Sequence, residues 1–279
     1  SDTTNVSISE FSYGEKEILR DTKLTINKNE VVCIKGRSGI GKSTIVKLLS
    51  RLLIGKENAV CVDGTDINTI RKEDLYSNIL VAEQHANIIS GTLLENLLLG
   101  EQYSGEELQE VIDTVQLTEF VRKEGVEAKL SEGAGNISGG QCQRIGIARM
   151  LLRKPKLLIL DEPINGLDTD GMRIMREILV DITQKYGCTV LISSHLLGEL
   201  EKIATHYGII RQGKMIMEIS AEEMDARAVE AVRAAVSKAK FCQKPIARYD
   251  TQTKKVYVEY ADGDDVVAET KLVDGKQYV

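Results

Sequence analysis

The chain has 279 residues, of which 42% are hydrophobic and 28% charged, and it carries a formal net charge of −6 at pH 7. Its mean hydropathy of −0.15 is typical of a soluble globular protein, and no apolar run approaches the ~18 residues that a membrane-spanning helix needs. The acidic balance disfavours nucleic acid as a partner, because phosphate backbones are bound by clustered Lys and Arg. The length suits one domain with a small extension.

The first residues and the cysteines indicate the compartment. Residues 1–5 are polar and lack both the basic and the apolar segment of a secretory signal. The five cysteines are odd in number and widely spread, without the C-x-x-C pairs of zinc or redox sites. We therefore expect a reduced, cytosolic setting.

Short alternating stretches, separated by polar turns, occupy residues 6–34. They predict several short strands, of which the last, residues 31–34, is buried. Tyr13 lies among these strands, in the segment that precedes Ile18. Taken alone, Tyr13 is most simply a strand-end residue on a half-exposed sheet.

Residues 36–44 read GRSGIGKST and match the phosphate-loop pattern G-x-x-x-x-G-K-[ST] between a predicted strand and a helical run, residues 45–49. The glycines let main-chain N–H groups point at phosphate oxygens, and the helix N-terminus adds partial positive charge. Lys42 is expected to reach the β and γ phosphates of a nucleotide, and Ser43 to bind Mg²⁺ through its hydroxyl. A chance glycine turn is a poor alternative in this context.

Strands and helices alternate in the next part of the chain. Residues 60–64 predict a strand and turn, residues 66–76 a short helix with loops, and residues 79–84 a strand that ends in Gln84. A glutamine in that place is ordinarily a solvated loop residue. Apolar residues at helical spacing predict one packed amphipathic helix over residues 105–120.

Ser138 and two glycines open a predicted helix over residues 141–152. The N-terminus of this helix is a second candidate anion site. Taken alone, a Ser-Gly-Gly sequence indicates no more than a helix N-cap.

A buried apolar strand, residues 156–160, ends in Asp161 and Glu162, and Pro163 cannot continue a strand ladder. Open α/β sheets place their ligand sites at the carboxyl ends of the strands. The two carboxylates are therefore candidate site residues.

A predicted helix over residues 172–185 leads to a buried strand, residues 188–192, which is followed by His195. One histidine at a strand end is more often structural. A helix over residues 196–204 and a strand over residues 207–211 are predicted next.

The tail differs in character from the rest of the chain. Residues 222–240 are Ala-rich with valines every three to four residues and predict a helix, and residues 255–260 with the segment from Val266 predict a hairpin. No motif in the tail carries recognisable chemistry. A solvated surface and a regulatory or dimerisation role are both open.

Three of these segments carry a family resemblance. Ser138-Gly139-Gly140-Gln141, the pair Asp161-Glu162 and Gly166-Leu167-Asp168 resemble the signature, the Walker B motif and the D-loop of ABC-type ATP-binding domains. The phosphate loop then takes the place of Walker A. The departures are small, since Ile137 stands where Leu is usual and Cys142 where a basic residue is common. Each motif is weak alone, but the ordered set is specific.

The resemblance implies ATP as the nucleotide, Mg²⁺ as the cofactor and a role for each motif residue. The catalytic set comprises Lys42, the base Glu162 and the switch histidine His195. The implied ATP-binding residues are Tyr13, which stacks on adenine, with Ile18, Gly36, Ser38, Gly39, Gly41, Lys42, Ser43 and Thr44. The implied metal ligands are Ser43, Gln84 and Asp161. The implied signature set, which contacts the ATP of another subunit, consists of Ser138, Gly139, Gly140 and Gln141, and Asp168 is the implied coupling residue.

The resemblance also implies an α/β fold with a P-loop NTPase core of the RecA-like type, an antiparallel β subdomain and a helical signature subdomain over about residues 85–150. We expect this ATP-binding domain to occupy residues 1–220 and a small α+β extension to occupy residues 221–279. Residues 88–97 are similar to the exporter form of the family, whereas the segment after His195 is similar to ATPase subunits of bacitracin and lantibiotic transporters.

The implied partners are a second ATP-binding domain and the transmembrane domains of an exporter, at the inner face of the cell membrane. One alternative is a soluble ABC ATPase of translation or DNA repair. Such chains usually carry two motif sets or a long coiled coil, and this one has neither. A second alternative is a regulatory subunit that binds ATP without turnover, which the presence of Glu162 disfavours.

Overall fold

The computed structural model describes residues 3–82, 86–195, 203–242, 246–250, 255–259, 265–267, 271–273 and 276–278. Two units follow from the contacts within the chain, Ser1–Ala221 and Glu222–Val279. Within the described ranges, no helix is both long enough and apolar enough to cross a membrane.

The strands and helices of the first unit alternate along the chain. Its strands are β1 (Thr3–Tyr13), β2 (Lys16–Asn27), β3 (Val31–Lys35), β4 (Val60–Val62), β5 (Thr65–Asp66), β6 (Ile79–Ala82), β7 (Gly91–Thr92), β8 (Lys129–Leu130), β9 (Leu157–Asp161), β10 (Thr189–Ser194), β11 (His206–Arg211) and β12 (Lys214–Ser220). Its helices are α1 (Lys42–Leu49), α2 (Lys72–Asn78), α3 (Leu93–Leu98), α4 (Gly105–Thr114), α5 (Thr118–Glu124), α6 (Gly139–Leu152) and α7 (Thr169–Tyr186), with a short 3₁₀ turn at Glu132–Ala134.

A six-stranded sheet in the order β12-β11-β3-β10-β9-β6 forms the centre of this unit. All neighbouring strands in it are parallel except β12, which pairs antiparallel with β11. Leu191 of β10 lies between Val32 of β3 and Ile159 of β9, and all three side chains are fully buried. Strands covered on both faces are apolar throughout. The predicted α/β class is confirmed.

The strands at the start of the chain are long, so the prediction of several short strands over residues 6–34 is wrong there. β1 has 11 residues and β2 has 12, and they belong to a four-stranded antiparallel sheet in the order β2-β1-β4-β5. Phe11 pairs with Leu19 and Ser12 with Glu17, which makes Ile18 the extra residue of a β-bulge. The bulge interrupts the alternation of the sequence while the strand continues.

One hydrophobic core joins the two sheets and α1. Its buried members include Val6 and Leu24 from the antiparallel sheet, Ile34 and Leu157 from the central sheet, and Leu48 from α1. Burial of each such side chain contributes about 1.5–3 kcal/mol relative to exposure. The helix that follows the phosphate loop is therefore anchored on the core along its length.

The helix predicted over residues 105–120 consists of two helices, α4 and α5. Gln116 has a positive φ of 53°, and the amides of Gln116 and Leu117 donate to the carbonyls of Asp113 and Ile112. This pattern is a Schellman C-cap, in which two main-chain hydrogen bonds close the end of the helix. The buried apolar residues of this stretch end at Leu117, and no residue of α5 is fully buried.

The second unit begins with the helix α8 (Ala221–Phe241), as predicted. Its strands are β13 (Ile246–Asp250), β14 (Lys255–Glu259), β15 (Asp265–Val267), β16 (Lys271–Val273) and β17 (Lys276–Tyr278). The predicted hairpin corresponds to β14 and β15, which pair antiparallel, and β13 joins them on the other side. Most of the helix predicted over residues 196–204 lies outside the described residues.

Candidate nucleotide-binding site

The phosphate loop connects β3 to α1 and depends on glycine geometry. Gly41 is the N-cap of α1 and has φ 111°, in the region that favours glycine. A Cβ atom at Gly41 would lie 2.5 Å from a methyl group of Leu19, and one at Gly36 would lie 2.8 Å from the carbonyl oxygen of Ile210. A side chain at either position would force the loop away from the core.

Lys42, the first residue of α1, is buried beneath this loop, with 4% of its surface exposed. Its Nζ donates to the carbonyl oxygens of Gly36 at 2.8 Å and Arg37 at 3.1 Å. The same atom lies 3.1 Å from Oε1 of Glu162. A buried ammonium needs hydrogen-bond acceptors, and here the phosphate loop and the residue after β9 supply them.

Glu162 follows the end of β9 and adopts a left-handed backbone conformation, with φ 52°. Its amide donates to the carbonyl oxygen of Ser193 at 3.0 Å. Its carboxylate lies between two nitrogen atoms, since Oε2 is 2.7 Å from Nδ1 of His195 and Oε1 faces Lys42. The strained conformation thus aims the carboxylate at the phosphate loop.

A cavity of about 390 Å³ lies in front of the loop. Its lining residues come from β1, β2, the phosphate loop, α1, the ends of β9 and β10, and the loop after β9; they are Tyr13, Ile18, Ser38, Gly39, Gly41, Lys42, Ser43, Thr44, Asp161, Glu162, Asn165 and His195. The structure therefore brings together the predicted catalytic, phosphate-binding and adenine-binding residues. Gly36 contributes its carbonyl to Lys42 from behind the loop, and Gln84 lies outside the described residues.

Tyr13 lies at the mouth of this cavity and is 45% exposed. The ring of Phe11 meets it edge to face, with centroids 5.4 Å apart and planes at 89°. Phe11 itself packs on the hydrophobic core. The bulge residue Ile18 lines the cavity beside Tyr13, so the bulge supplies a second apolar side chain at the same end.

The donor set in the cavity suits Mg²⁺. The hydroxyl of Ser43 and the carboxylate of Asp161 are oxygen ligands that line the same space. Among the described residues no group of three or more His, Cys, Asp and Glu side chains could hold a metal by itself. Mg²⁺ in nucleotide sites is held by one or two protein oxygens with water and substrate phosphates rather than by an all-protein cage.

Three of the four signature residues, Ser138, Gly139 and Gly140, line another cavity of the chain, of about 430 Å³, together with Asp168. Ser138 caps α6, because its Oγ accepts from the amide of Gln141 and the Gln141 side chain accepts from the amide of Ser138. Asp168 caps α7 by accepting from the amide of Gly171 at 2.8 Å. Two helix N-termini therefore border one cavity, each with its capping side chain.

A buried thiol lies in the strand behind the loop. Burial raises the pKa of Cys33 to about 12, against smaller opposing effects of Lys35 and Lys42. Cys33 therefore remains a neutral thiol beside these charged residues at neutral pH.

Sequence reasoning missed three residues at or beside this site. Asn165 lines the cavity, Phe11 supports Tyr13, and Ser193 bonds Asp161 and Glu162. Ser193 carried a detectable signal, because it precedes His195 by two residues and alternate residues of a strand share a face. For Asn165 and Phe11 the sequence offers no such signal, except that both lie close in sequence to predicted site residues.

Several known proteins are similar to this chain in sequence. The sequence profile of the ABC transporter family matches residues 19–165. The ABC transporter ATP-binding protein YcbN of Bacillus subtilis is 36% identical over 223 residues, which cover 78% of this chain and 70% of that protein. The bacitracin transport ATP-binding protein BcrA of Bacillus licheniformis is 33% identical over 215 residues, which cover 77% of this chain and 69% of that protein.

A solved structure of a bacterial Atm1-family ABC exporter with ATP bound has a TM-score of 0.74 and 25% sequence identity to this protein. The similarity covers 81% of this chain and 40% of the exporter chain. The chain likewise spans 36–38% of three Rickettsia export ATP-binding/permease proteins that it matches. The profile match covers more than half of the 279 residues, so the chain belongs to the ABC transporter family and carries its ATP-binding domain.

Proposed function

We propose that this chain hydrolyses Mg-ATP and thereby powers an ABC exporter. The observation that carries the proposal is the convergence of the phosphate loop, the strand-end carboxylates and His195 on one cavity. Glu162 lies 3.1 Å from Lys42 and 2.7 Å from His195. A carboxylate for water thus contacts both a cation for phosphate charge and a group that fixes the carboxylate.

Hydrolysis of ATP transfers the γ-phosphoryl group to water, and catalysis of this step consists mainly of positioning and electrostatic stabilisation. Glu162 orients the attacking water and accepts its proton. Lys42 and the amides of the loop offset the charge on the phosphate oxygens. His195 holds the Glu162 carboxylate through Nδ1 and presents its other ring nitrogen to the γ-phosphate.

Nucleotide binding changes the partners of Lys42. Before ATP binds, the Lys42 ammonium is shared between the loop carbonyls and Glu162. The triphosphate carries more negative charge than one carboxylate and attracts the ammonium more strongly. Glu162 is then released from Lys42 while it keeps its contact with His195, which leaves one carboxylate oxygen for water.

Ser43 and Asp161 are the described residues that would hold Mg²⁺, with Gln84 as a further predicted ligand outside those residues. When bound, Mg²⁺ supplies charge neutralisation at the β and γ phosphates. The role of this chain is to fix the two oxygen ligands on rigid elements, the start of α1 and the end of β9.

The signature and Asp168 act on another copy of the domain in this proposal. Ser138, Gly139 and Gly140 line a cavity with Asp168, whereas Lys42 and Glu162 line the ATP cavity. In a head-to-tail dimer, the N-terminus of α6 would close over ATP that the second subunit holds. Asp168 would couple the two subunits. ATP would then join the domains, and hydrolysis would release them.

The relatives support a membrane partner and an export role. BcrA is named for bacitracin transport, and the Rickettsia relatives are named as export proteins that combine ATP-binding and permease functions. The ATP-bound neighbour in structure is an exporter. The domain would therefore act at the cytoplasmic face of a membrane, against the transmembrane domains of a transporter.

The experiment replaces Glu162 by Gln and compares it with Glu119→Gln, which changes a surface carboxylate of α5. ATP turnover should fall by about 10²- to 10⁴-fold in Glu162→Gln and stay unchanged in the control. Light scattering should show monomeric Glu162→Gln protein that becomes a dimer with Mg-ATP. Unchanged turnover in Glu162→Gln would contradict the mechanism, and a dimer that is independent of nucleotide would contradict ATP-driven assembly.

A further inference from the structure

Ser193 is a fully buried polar residue on the central strand β10, where the preceding residues Val190, Leu191 and Ile192 are apolar. The strand register sets it opposite Asp161 of β9. Buried hydroxyl groups need hydrogen-bond partners, and the partners of this one are site residues. Its position in the sheet therefore connects it directly to the nucleotide cavity.

The hydroxyl of Ser193 makes two hydrogen bonds of opposite sense. It donates to Oδ1 of Asp161 and accepts from the amide of Glu162 at 3.3 Å. The main-chain carbonyl of Ser193 accepts from the same amide at 3.0 Å. One residue thus holds the side chain of Asp161 and the backbone of Glu162 together.

Another buried hydroxyl of the chain differs in its partners. Thr22 is also fully buried, but its Oγ1 donates to the main-chain carbonyls of Arg20 and Gly213. The first partner lies in β2 itself and the second in the turn between β11 and β12, and neither is a site residue. Burial alone requires only that a hydroxyl have some hydrogen-bond partner, whereas the partners of Ser193 are site residues.

The two contacts have separate physical consequences. A hydrogen bond to Oδ1 fixes the rotation of the Asp161 carboxylate, which fixes where its other oxygen points. The amide of Glu162 belongs to a residue with φ 52°, a conformation that persists only when its surroundings hold it. Ser193 thus stabilises the orientation of both carboxylates.

We propose that Ser193 is a positioning residue that orients Asp161 toward Mg²⁺ and holds the backbone turn that directs Glu162. The inference rests on the proposed Mg-ATP chemistry of the cavity. Removal of the hydroxyl should weaken the metal-dependent part of ATP binding by about 10- to 100-fold, the usual effect of losing a group that orients a metal ligand.

The experiment measures ATP affinity by calorimetry with Mg²⁺ and with EDTA, in the full chain. Ser193→Ala should lower the ratio of the two affinities, whereas ATP affinity in EDTA stays near wild type. Ser194→Ala, at the neighbouring buried position of the same strand, is the matched control and should keep the wild-type ratio. Ser193→Cys, nearly the same size with a weaker donor, provides a second variant should the Ala protein fail to fold.

The inference would be overturned if a folded variant without the serine hydroxyl kept the wild-type ratio of ATP affinity with Mg²⁺ to ATP affinity with EDTA. In Asp161→Asn protein the ATP affinities with Mg²⁺ and with EDTA should be equal, and adding Ser193→Ala should change neither. A further loss of ATP affinity in the presence of Mg²⁺, on adding Ser193→Ala to Asp161→Asn, would also overturn the inference. Failure of the wild-type chain to bind ATP, or to bind it more tightly with Mg²⁺, would instead reject the proposed function.

Discussion

The ammonium of Lys42 lies 3.1 Å from the carboxylate of Glu162, and the two side chains are 5% and 16% exposed. This contact joins the phosphate loop to the end of β9 and neutralises both groups. The pair is partly buried, so solvent screens it less than a surface pair. In the proposed function, ATP would compete with Glu162 for Lys42, and the contact would oppose nucleotide binding.

Glu162→Gln should consequently bind ATP more tightly, as well as turn it over more slowly. Removal of one partner of such a pair frees Lys42 for the phosphates, and the gain expected is about two- to fivefold in Kd, the equivalent of about 0.4–1 kcal/mol. Equilibrium binding with a fluorescent ATP analogue, at a protein concentration where the chain is monomeric, measures it. An unchanged or weaker affinity would show that Lys42 and Glu162 do not compete.

Asp168 caps α7 in the single chain, so its effect on stability can be measured separately from any effect on dimer formation. Asp168→Ala should lower the free energy of unfolding by about 0.5–2 kcal/mol, whereas Asp168→Asn should retain stability because Asn is an equally good N-cap. Denaturant unfolding without nucleotide measures both. A loss of stability in the Asn variant equal to that of the Ala variant would contradict the capping argument.

The same Asn substitution, placed in the Glu162→Gln protein, should weaken ATP-driven dimer formation at unchanged stability if Asp168 couples the subunits. Ser104→Ala is the matched control, since Ser104 caps α4 in the same way and lies apart from the signature cavity residues. It should lose stability and keep the dimer. Normal dimer formation in the Asn protein would limit the role of Asp168 to its helix cap.

The sequence predicted the parts of the fold that depend on local pattern. The phosphate loop follows from glycine spacing between a strand and a helix, and β9 and β10 follow from their apolar runs. The cap Ser138 sits where a small polar residue precedes a predicted helix. In each case the physical cause lies within a few residues of the position.

The missed features depend on pairings that the sequence pattern does not specify. The bulge at Ile18 arises in the pairing of β1 with β2, and the break at Gln116 coincides with a contact in which Arg144 donates to its carbonyl oxygen. Ser193 acquires its significance from Asp161, 32 residues away. Local propensity carries little information about such pairings, which tertiary packing decides.

Phe11 should tune adenine recognition through Tyr13. An edge-to-face aromatic pair is worth about 0.5–1.5 kcal/mol beyond its buried area, and Phe11→Leu removes it while it keeps an apolar side chain on the core. We expect the affinity for ATP to fall by about two- to tenfold and the affinity for inorganic tripolyphosphate to remain. Competition binding of the two ligands measures both.

The double variant distinguishes this role from a general loss of structure. In Tyr13→Leu protein, Phe11→Leu should cost no further ATP affinity, because its effect passes through the missing ring. Loss of tripolyphosphate affinity in Phe11→Leu would show that the change disturbs the phosphate loop, and an additive loss in the double variant would show that Phe11 acts without Tyr13.

The cysteines should divide into reactive and protected groups. Cys242 is exposed and Cys61 half-buried, whereas Cys33, Cys142 and Cys188 are buried. Burial raises the pKa of Cys33 and of Cys188 to about 12, and the thiolate is the reactive species. At neutral pH a thiol-specific reagent should therefore label Cys242 fast, Cys61 slowly and the buried three after unfolding. Cys242→Ser should remove the fast phase.

Because of the same pKa shifts, the free energy of unfolding should change with pH in the alkaline range. Cys33 and Cys188 have folded pKa values above the ordinary 9.0, so these thiols ionise more readily in the unfolded chain. Their contribution to stability is complete below pH 9 and is lost as the pH rises from 9 towards 12. Urea unfolding across this range should show a falling midpoint, with a shallower fall in Cys188→Ala. An equal slope in wild type and variant would contradict the assignment of the shift to burial of Cys188.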